Sequence, residues 1–222
     1  MFKEKETLLQ NMAFMGIMAA LNVLLSALGA YVPVVGVFIV IFLPFFSAIT
    51  AMICKWKYYP IYALATILVA LCATFWHTEF TIFYLIPSVI TGFLFGLCFK
   101  LKLNGTYALL FTSLAQLGLT YLALPIIELI SERNLITVFL EIFQLTDHPY
   151  ALMIVPSFIY LISLAQMVLS YIVLNNEINK FAPNVSKKDG NLIKLIGLTL
   201  ALLVIPFVHF QKYQQCLVFL QN

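Results

Sequence analysis

Two stretches of this chain, 113–122 and 163–172, carry the same polar residues in the same order at an offset of 50. Ser113, Gln116 and Thr120 in the first match Ser163, Gln166 and Ser170 in the second, on an otherwise apolar background. The spacing i, i+3, i+7 puts each trio on one face of a helix. Amides and hydroxyls set this way do hydrogen-bond chemistry. They hold a polar ligand, or they tie one helix to another, where each bond contributes about 0.6–2 kcal/mol. Asn22 lies about ten residues from the inner end of its apolar run, as Gln116 and Gln166 do from theirs, so at about 1.5 Å per residue the three amides share a depth of about 15 Å. The candidate ligand-binding residues are therefore Asn22, Gln116, Thr120, Gln166 and Ser170, grouped as a mid-membrane amide cluster. Interhelical bonding is the alternative.

Other chemistry is weakly represented. His77 and Glu79, with Glu128, fall at the outer ends of apolar runs, where a metal or a cationic ligand is one use and simple solvation the other. They lack metal-ligand spacing, so no metal is expected. There is no Gly-x-x-x-x-Gly-Lys-Ser/Thr phosphate loop, no His-Glu-x-x-His and no Gly-x-Ser-x-Gly. The apolar runs are almost free of ionisable side chains, which intramembrane hydrolysis and proton-coupled transport require. The chain reads as a non-enzyme without a cofactor. Cys54, Cys72, Cys98 and Cys216 have no paired spacing, and no disulfide is expected. Cys54 and Cys98 are placed at the inner face, Cys72 mid-span and Cys216 outside.

The elements that must carry these residues are membrane spans. Hydrophobic residues make up 63% of the chain and charged residues 9%, against about 25% charged in a soluble domain. About 20 residues cross the hydrocarbon, and the runs fall at 10–31, 34–53, 58–76, 80–99, 106–130, 149–174 and 191–209. Ten of the twelve Lys and Arg residues lie in alternate gaps: Lys3, Lys5, Lys55, Lys57, Lys100, Lys102, Lys180, Lys187, Lys188 and Lys194. Arg133 and Lys212 are the exceptions. Short cytoplasmic loops retain Lys and Arg, so the expected protein is all-α: a polytopic helical bundle of about seven spans in the cell membrane, amino terminus cytoplasmic, carboxyl terminus external. The net charge of +3 marks sidedness and gives no reason to expect nucleic acid. The expected organisation is a six-helix core over 1–175, a cytoplasmic linker over 176–190, and a seventh helix with an external tail over 191–222.

Local signals refine this plan. Tyr31, Pro33 and Gly36 are read as an external turn, Pro60 as a helix start, and Asn104-Gly105 as an inner turn. Pro44 and Pro87 lie inside spans, where each interrupts the backbone ladder. Tyr58, Tyr59, Phe75 and Trp76 bracket the third span like an aromatic belt. The alternation of Leu135, Ile136, Phe139, Leu140, Ile142 and Phe143 with Thr137, Glu141 and Gln144 suits a helix lying in the outer interface, as a lid or as a plain surface helix. Gly92 and Gly96 form Gly-x-x-x-Gly, and Gly16 with Ala20 forms a similar pair. Both are faces for close helix packing, with a partner in this chain or in another.

Ala19-Ala20-Leu21-Asn22-Val23-Leu24-Leu25-Ser26 is similar to the opening helix of energy-coupling-factor (ECF) transporter S components. Tyr31-Val32-Pro33-Val34-Val35-Gly36, then Leu43-Pro44-Phe45 and Gly92-Phe93-Leu94-Phe95-Gly96, resemble the YybS-like membrane family, which itself looks related to S components. The resemblance covers under half the chain. It implies a six-helix subunit that captures a micronutrient outside and docks on a transmembrane coupling protein driven by two ATPases. Small residues of the first helix face that coupling protein, and Gly16 and Ala20 match them. The seventh span departs from this plan. The sequence-based expectation is a membrane substrate-binding subunit of an uptake system, with lipid, a coupling protein and ATPases as partners and a small-molecule ligand of unknown identity. Its rival is a non-transport envelope scaffold similar to MreD.

Overall fold

The structure is a computed structural model that describes residues 7–131 and 151–181, together with Thr137, Leu140, Glu141 and Gly197. The described residues are all-helical, without strands. In chain order the helices are α1 (Leu8–Tyr31), α2 (Pro33–Ile53), α3 (Tyr59–Ala73), the single turn α4 (Thr78–Phe80), α5 (Ile86–Lys100), α6 (Gly105–Ser131) and α7 (Ala151–Phe181). Among the described residues, four stretches are long and apolar enough to cross a membrane: Leu8–Tyr31, Trp56–Ala73, Phe75–Lys100 and Gly105–Ile130. Helices occupy the first six expected spans. The seventh span, Cys216 and most of the expected linker lie outside the described residues. So does most of the interfacial segment, of which Thr137, Leu140 and Glu141 are helical, with Leu140 buried and the other two exposed.

Helix boundaries follow local chemistry, and they correct several expectations. Thr7 caps α1, its hydroxyl accepting from the Gln10 N–H at 3.3 Å. Pro33 disfavours helical geometry at the residue before it, so Val32 alone separates α1 from α2. Gly36, expected in that turn, lies inside α2, where an added Cβ would sit 2.7 Å from the Gly29 carbonyl oxygen. Its role is close approach of two helices. The expected linker begins later than residue 176, because α7 runs on to Phe181. Cys72, expected mid-span, is the last residue but one of α3. Tyr59 leaves the aromatic belt: it is buried, and its hydroxyl donates to the Val89 carbonyl at 2.7 Å. Phe75 and Trp76 remain exposed.

The segment before Pro87 winds as a π-turn, Thr81–Leu85, between α4 and α5. A wider turn accommodates the proline ring, which would collide with the carbonyl four residues back in a regular α-helix. The turn after α5 is made elsewhere than at the expected Asn104-Gly105. Leu103 N–H donates to the Cys98 carbonyl at 2.9 Å and Lys102 N–H to the Phe99 carbonyl at 3.0 Å, the paired bonds of a Schellman cap. Its left-handed residue is Lys102, φ 54°, while no glycine among the described residues has positive φ. Gly105 instead begins α6. A lysine at this position costs about 1–2 kcal/mol relative to glycine.

α2 is the central helix, packed chiefly against α5 and α1. One apolar cluster joins it to α5, α6 and α7 through Ala48, Met52, Phe95, Leu109, Met167 and Leu174. A second joins it to α1, α3 and α5 through Met15, Leu43, Ala51, Tyr62 and Val89. Gly92 and Gly96 belong to the α2–α5 contact: an added Cβ would meet Ser47 Cβ or Ala51 Cβ at 2.5 Å. Their partner is therefore in this chain. Polarity is inverted relative to a water-soluble fold. Asn11, Asn22, Ser47, Thr50, Thr81 and Ser88 are fully buried, whereas Leu129 is 83% and Leu9 79% exposed. Such an exterior suits lipid and is costly in water.

Candidate functional site

The main interior polar groups fall into two hydrogen-bonded networks, one joining α2 to α5, α6 and α7 and one joining α1, α2 and α3. The first starts from a proline. Pro44 inside α2 has no N–H, so the Val40 carbonyl lacks its intrahelical donor. Gln166 of α7 supplies one: its Nε2 donates to Val40 O at 3.1 Å and to Ser88 Oγ of α5 at 3.3 Å. One turn along α7, Ser170 Oγ donates to the Ile41 carbonyl at 2.8 Å. The polar stripe of α7 thus satisfies the weakened stretch of α2, which has no water to turn to within a bilayer.

The Val40 carbonyl also orders the rest of the network. A carbonyl only accepts, so the Gln166 atom facing it must be Nε2, and Oε1 must face the other way. There it accepts from Gln116 Nε2 of α6 at 3.1 Å. Gln116 Oε1 is 3.3 Å from Thr91 Oγ1, whose single proton also has the Pro87 carbonyl at 2.8 Å. The two glutamines are the equivalent positions of the repeat, and they meet as direct partners, 1% and 4% exposed. Every hydrogen-bonding direction of the Gln166 amide is used except the second lone pair of Oε1.

The second network holds Asn22. Its Nδ2 donates to Ser47 Oγ at 3.0 Å and to Tyr62 OH at 2.9 Å, and those two hydroxyls lie 3.2 Å apart. The triangle joins α1, α2 and α3. Closer to the end of α1, Thr81 Oγ1 in the π-turn is 3.4 Å from Ser26 Oγ and 2.6 Å from Thr74 Oγ1. Near the start of α1, Asn11 Oδ1 accepts from Lys55 N–H at 3.0 Å, and Asn11 Nδ2 donates to the Thr7 carbonyl at 2.7 Å.

The five expected ligand-binding residues are all buried, but they do not form one cluster. Gln116, Gln166 and Ser170 share the network on the α7 side, and Asn22 is bonded to Ser47 and Tyr62 instead. An equal-depth argument carries no information on which helix each amide faces. Thr120 Oγ1, Asn22 Oδ1 and Ser113 Oγ are buried without a hydrogen-bond partner among the described residues. Ser47, Tyr62, Ser88, Thr91 and Asn11 were not singled out by sequence. Pro44 held a usable signal, since an interior proline implies an unsatisfied carbonyl at Val40 that some neighbouring donor must meet.

The remaining candidates separate by location. His77 Nδ1 and Glu79 Oε1 are 3.3 Å apart and about half exposed, and the Tyr31 ring meets His77 edge-on at 5.3 Å. Glu128 is exposed on α6. Among the described residues no three His, Cys, Asp or Glu side chains are grouped to hold a metal. Gly16 and Ala20 differ sharply from Gly92 and Gly96. Among the described residues, a Cβ added at Gly16 would meet nothing within 4 Å. Gly16, Ala20, Ala27 and Leu28 of α1, with Ala65 and Val69 of α3, line an open apolar groove of about 630 Å³.

The arrangement offers hydrogen bonds and helix-packing faces, and neither interior network contains a nucleophile paired with a base. No protein-family model matches the sequence, and no curated protein or solved structure matches it.

Proposed function

We propose that this chain is a non-enzymatic membrane subunit that works by receiving a partner's transmembrane helix in the groove between α1 and α3. One observation carries the reading: Gly16 and Ala20 line a groove that nothing in the described chain fills, while the other small-residue pair is filled by α2. Small residues four apart lower a helix surface enough for a second backbone to approach. The specific form is the one the sequence resemblance implies: an S-component-like, substrate-binding subunit of a micronutrient uptake system, energised by separate ATPases. It has seven spans, with the amino terminus cytoplasmic and the carboxyl terminus external. In that form Asn22 Oδ1 and Thr120 Oγ1, which lack partners among the described residues, are the groups best placed to receive a solute's donor.

The rival scaffold reading is favoured by a different observation. Gln116, Gln166 and Ser170 are bonded to one another or to α2 and α5, so the repeat already has a structural use. The test is co-purification with Gly16→Leu. Because a Cβ at Gly16 would meet nothing within 4 Å among the described residues, the variant is expected to stay folded and to lose its membrane partner. Native mass spectrometry of the wild type then separates the two forms, since an uptake subunit carries a bound small molecule and a scaffold emerges empty. A Gly16→Leu protein that keeps every partner contradicts both.

A further inference from the structure

We infer that a buried water molecule bridges Asn22 and Ser26 of α1 and joins the Asn22 triangle to the hydroxyls at the π-turn. A solute's donor reaching Asn22 would take this water's place, and docking in the α1–α3 groove does not involve it. The hydroxyl protons here are all committed. Thr74 Oγ1 donates to the Ala70 carbonyl at 2.8 Å, so the 2.6 Å contact between the Thr74 and Thr81 hydroxyls uses the Thr81 proton. The 3.4 Å contact of Thr81 Oγ1 with Ser26 Oγ then uses the Ser26 proton. Ser26 Oγ is left with lone pairs alone. Asn22 spends its Nδ2 protons on Ser47 and Tyr62, and its Oδ1 has no partner among the described residues. Both Asn22 and Ser26 are fully buried.

The two acceptors stand four residues apart on one helix face, where Cβ atoms are about 5–6 Å from each other. They are not bonded to each other, and buried acceptors are met by a donor, in protein interiors often a water. Two further features select water over a monovalent cation. The enclosing helices, Leu8–Tyr31, Pro33–Ile53 and Tyr59–Ala73, and the π-turn Thr81–Leu85 carry no acidic side chain. A cation's charge would stand unbalanced there within the bilayer. The second feature is the Asn22 amide itself. Turned over, it presents Nδ2 in place of Oδ1 toward the same gap. A water answers both arrangements, because it donates and accepts, whereas a cation fits one of them.

The experiment is X-ray hydroxyl-radical footprinting of the full chain in detergent, started immediately after dilution into heavy-oxygen water and read by mass spectrometry. Bulk water then leaves heavy oxygen on the side chains it reaches, and a slowly exchanging interior water leaves ordinary oxygen. Tyr62 and Tyr171 are both 2% exposed, and only Tyr62 adjoins the Asn22 amide. Tyr62 should be oxidised several-fold more than Tyr171, mainly with ordinary oxygen. Ser26→Val puts methyl groups where the water sits and should bring Tyr62 down to the Tyr171 level. Tyr62 no more oxidised than Tyr171 in the wild type, heavy oxygen as its main label, or undiminished oxidation in Ser26→Val each overturn the assignment. If Ser26→Val fails to fold, Ser26→Ala removes one anchor of the water and should shift the Tyr62 label toward heavy oxygen. An unchanged isotope ratio in Ser26→Ala overturns the assignment as well.

Discussion

Replacing Gln166 by Leu removes two donated bonds, to Val40 O and Ser88 Oγ, and one accepted bond, from Gln116 Nε2. Interhelical hydrogen bonds in membranes average about 0.6 kcal/mol and reach about 1.7, so the substitution should cost about 1–3 kcal/mol. The part owed to Val40 depends on Pro44. Pro44→Ala restores a backbone N–H, and Val40 then has a donor within α2. In that background Gln166→Leu should be less costly by about 0.6–1.7 kcal/mol, the range for one such bond. Gln116→Leu is the control. Gln116 bonds Gln166 and Thr91 and has no direct part in satisfying Val40, so its cost should add to that of Pro44→Ala within about 0.3–0.5 kcal/mol. Reversible unfolding in mixed micelles, followed by circular dichroism, gives all four free energies of each cycle. Additivity of Pro44→Ala with Gln166→Leu would refute the assignment of Gln166 as the donor that completes α2.

Glycine substitutions should divide by position: Gly92→Ala and Gly96→Ala each lower stability by about 1–3 kcal/mol through overpacking against α2, whereas Gly16→Ala leaves it unchanged or raises it by up to about 1 kcal/mol through helix propensity, and thermal unfolding in detergent reads the difference. Asn22→Ala should cost about 1 kcal/mol, less than Tyr62→Ala, because the Ser47–Tyr62 bond survives the first and is lost with the second. Membrane-impermeant maleimide should reach a cysteine at position 187 only from the cytoplasm and Cys216 only from outside; labelling of Cys216 from the cytoplasm would remove one span.

The sequence-level signals that reported well were those with a one-dimensional cause. Hydrophobic length and proline position placed α1, α2, α3 and α6 within about three residues at each end, because spanning length and a missing N–H are properties of the chain itself, whereas α7 runs on to Phe181, past its expected end. The repeat singled out Gln116 and Gln166, expected to hold a ligand or tie helices together, and the two amides bond each other. Azimuth around a helix bundle is not encoded in depth, so Asn22 was grouped with them although its amide is bonded to Ser47 and Tyr62 instead. The use of each small-residue pair was likewise illegible, since Gly92 and Gly16 occur in similar motifs and only the packing of α2 distinguishes them. The turn at Lys102 ran against residue preference, with Asn104-Gly105 two residues away offering a more conventional left-handed site. The Asn11 tie to Lys55 had no periodic or motif signature at all.

The account's central claim is that the α1–α3 groove receives a partner helix. A photo-reactive amino acid placed at Ala20, irradiated in intact membranes, tests it most directly. The account predicts a discrete heterologous adduct with an integral membrane protein, absent when the same probe sits at exposed Leu122 of α6 and lost when Gly16→Leu is added. Adducts only with lipid from position 20, while the protein is folded and at its native level, would contradict it.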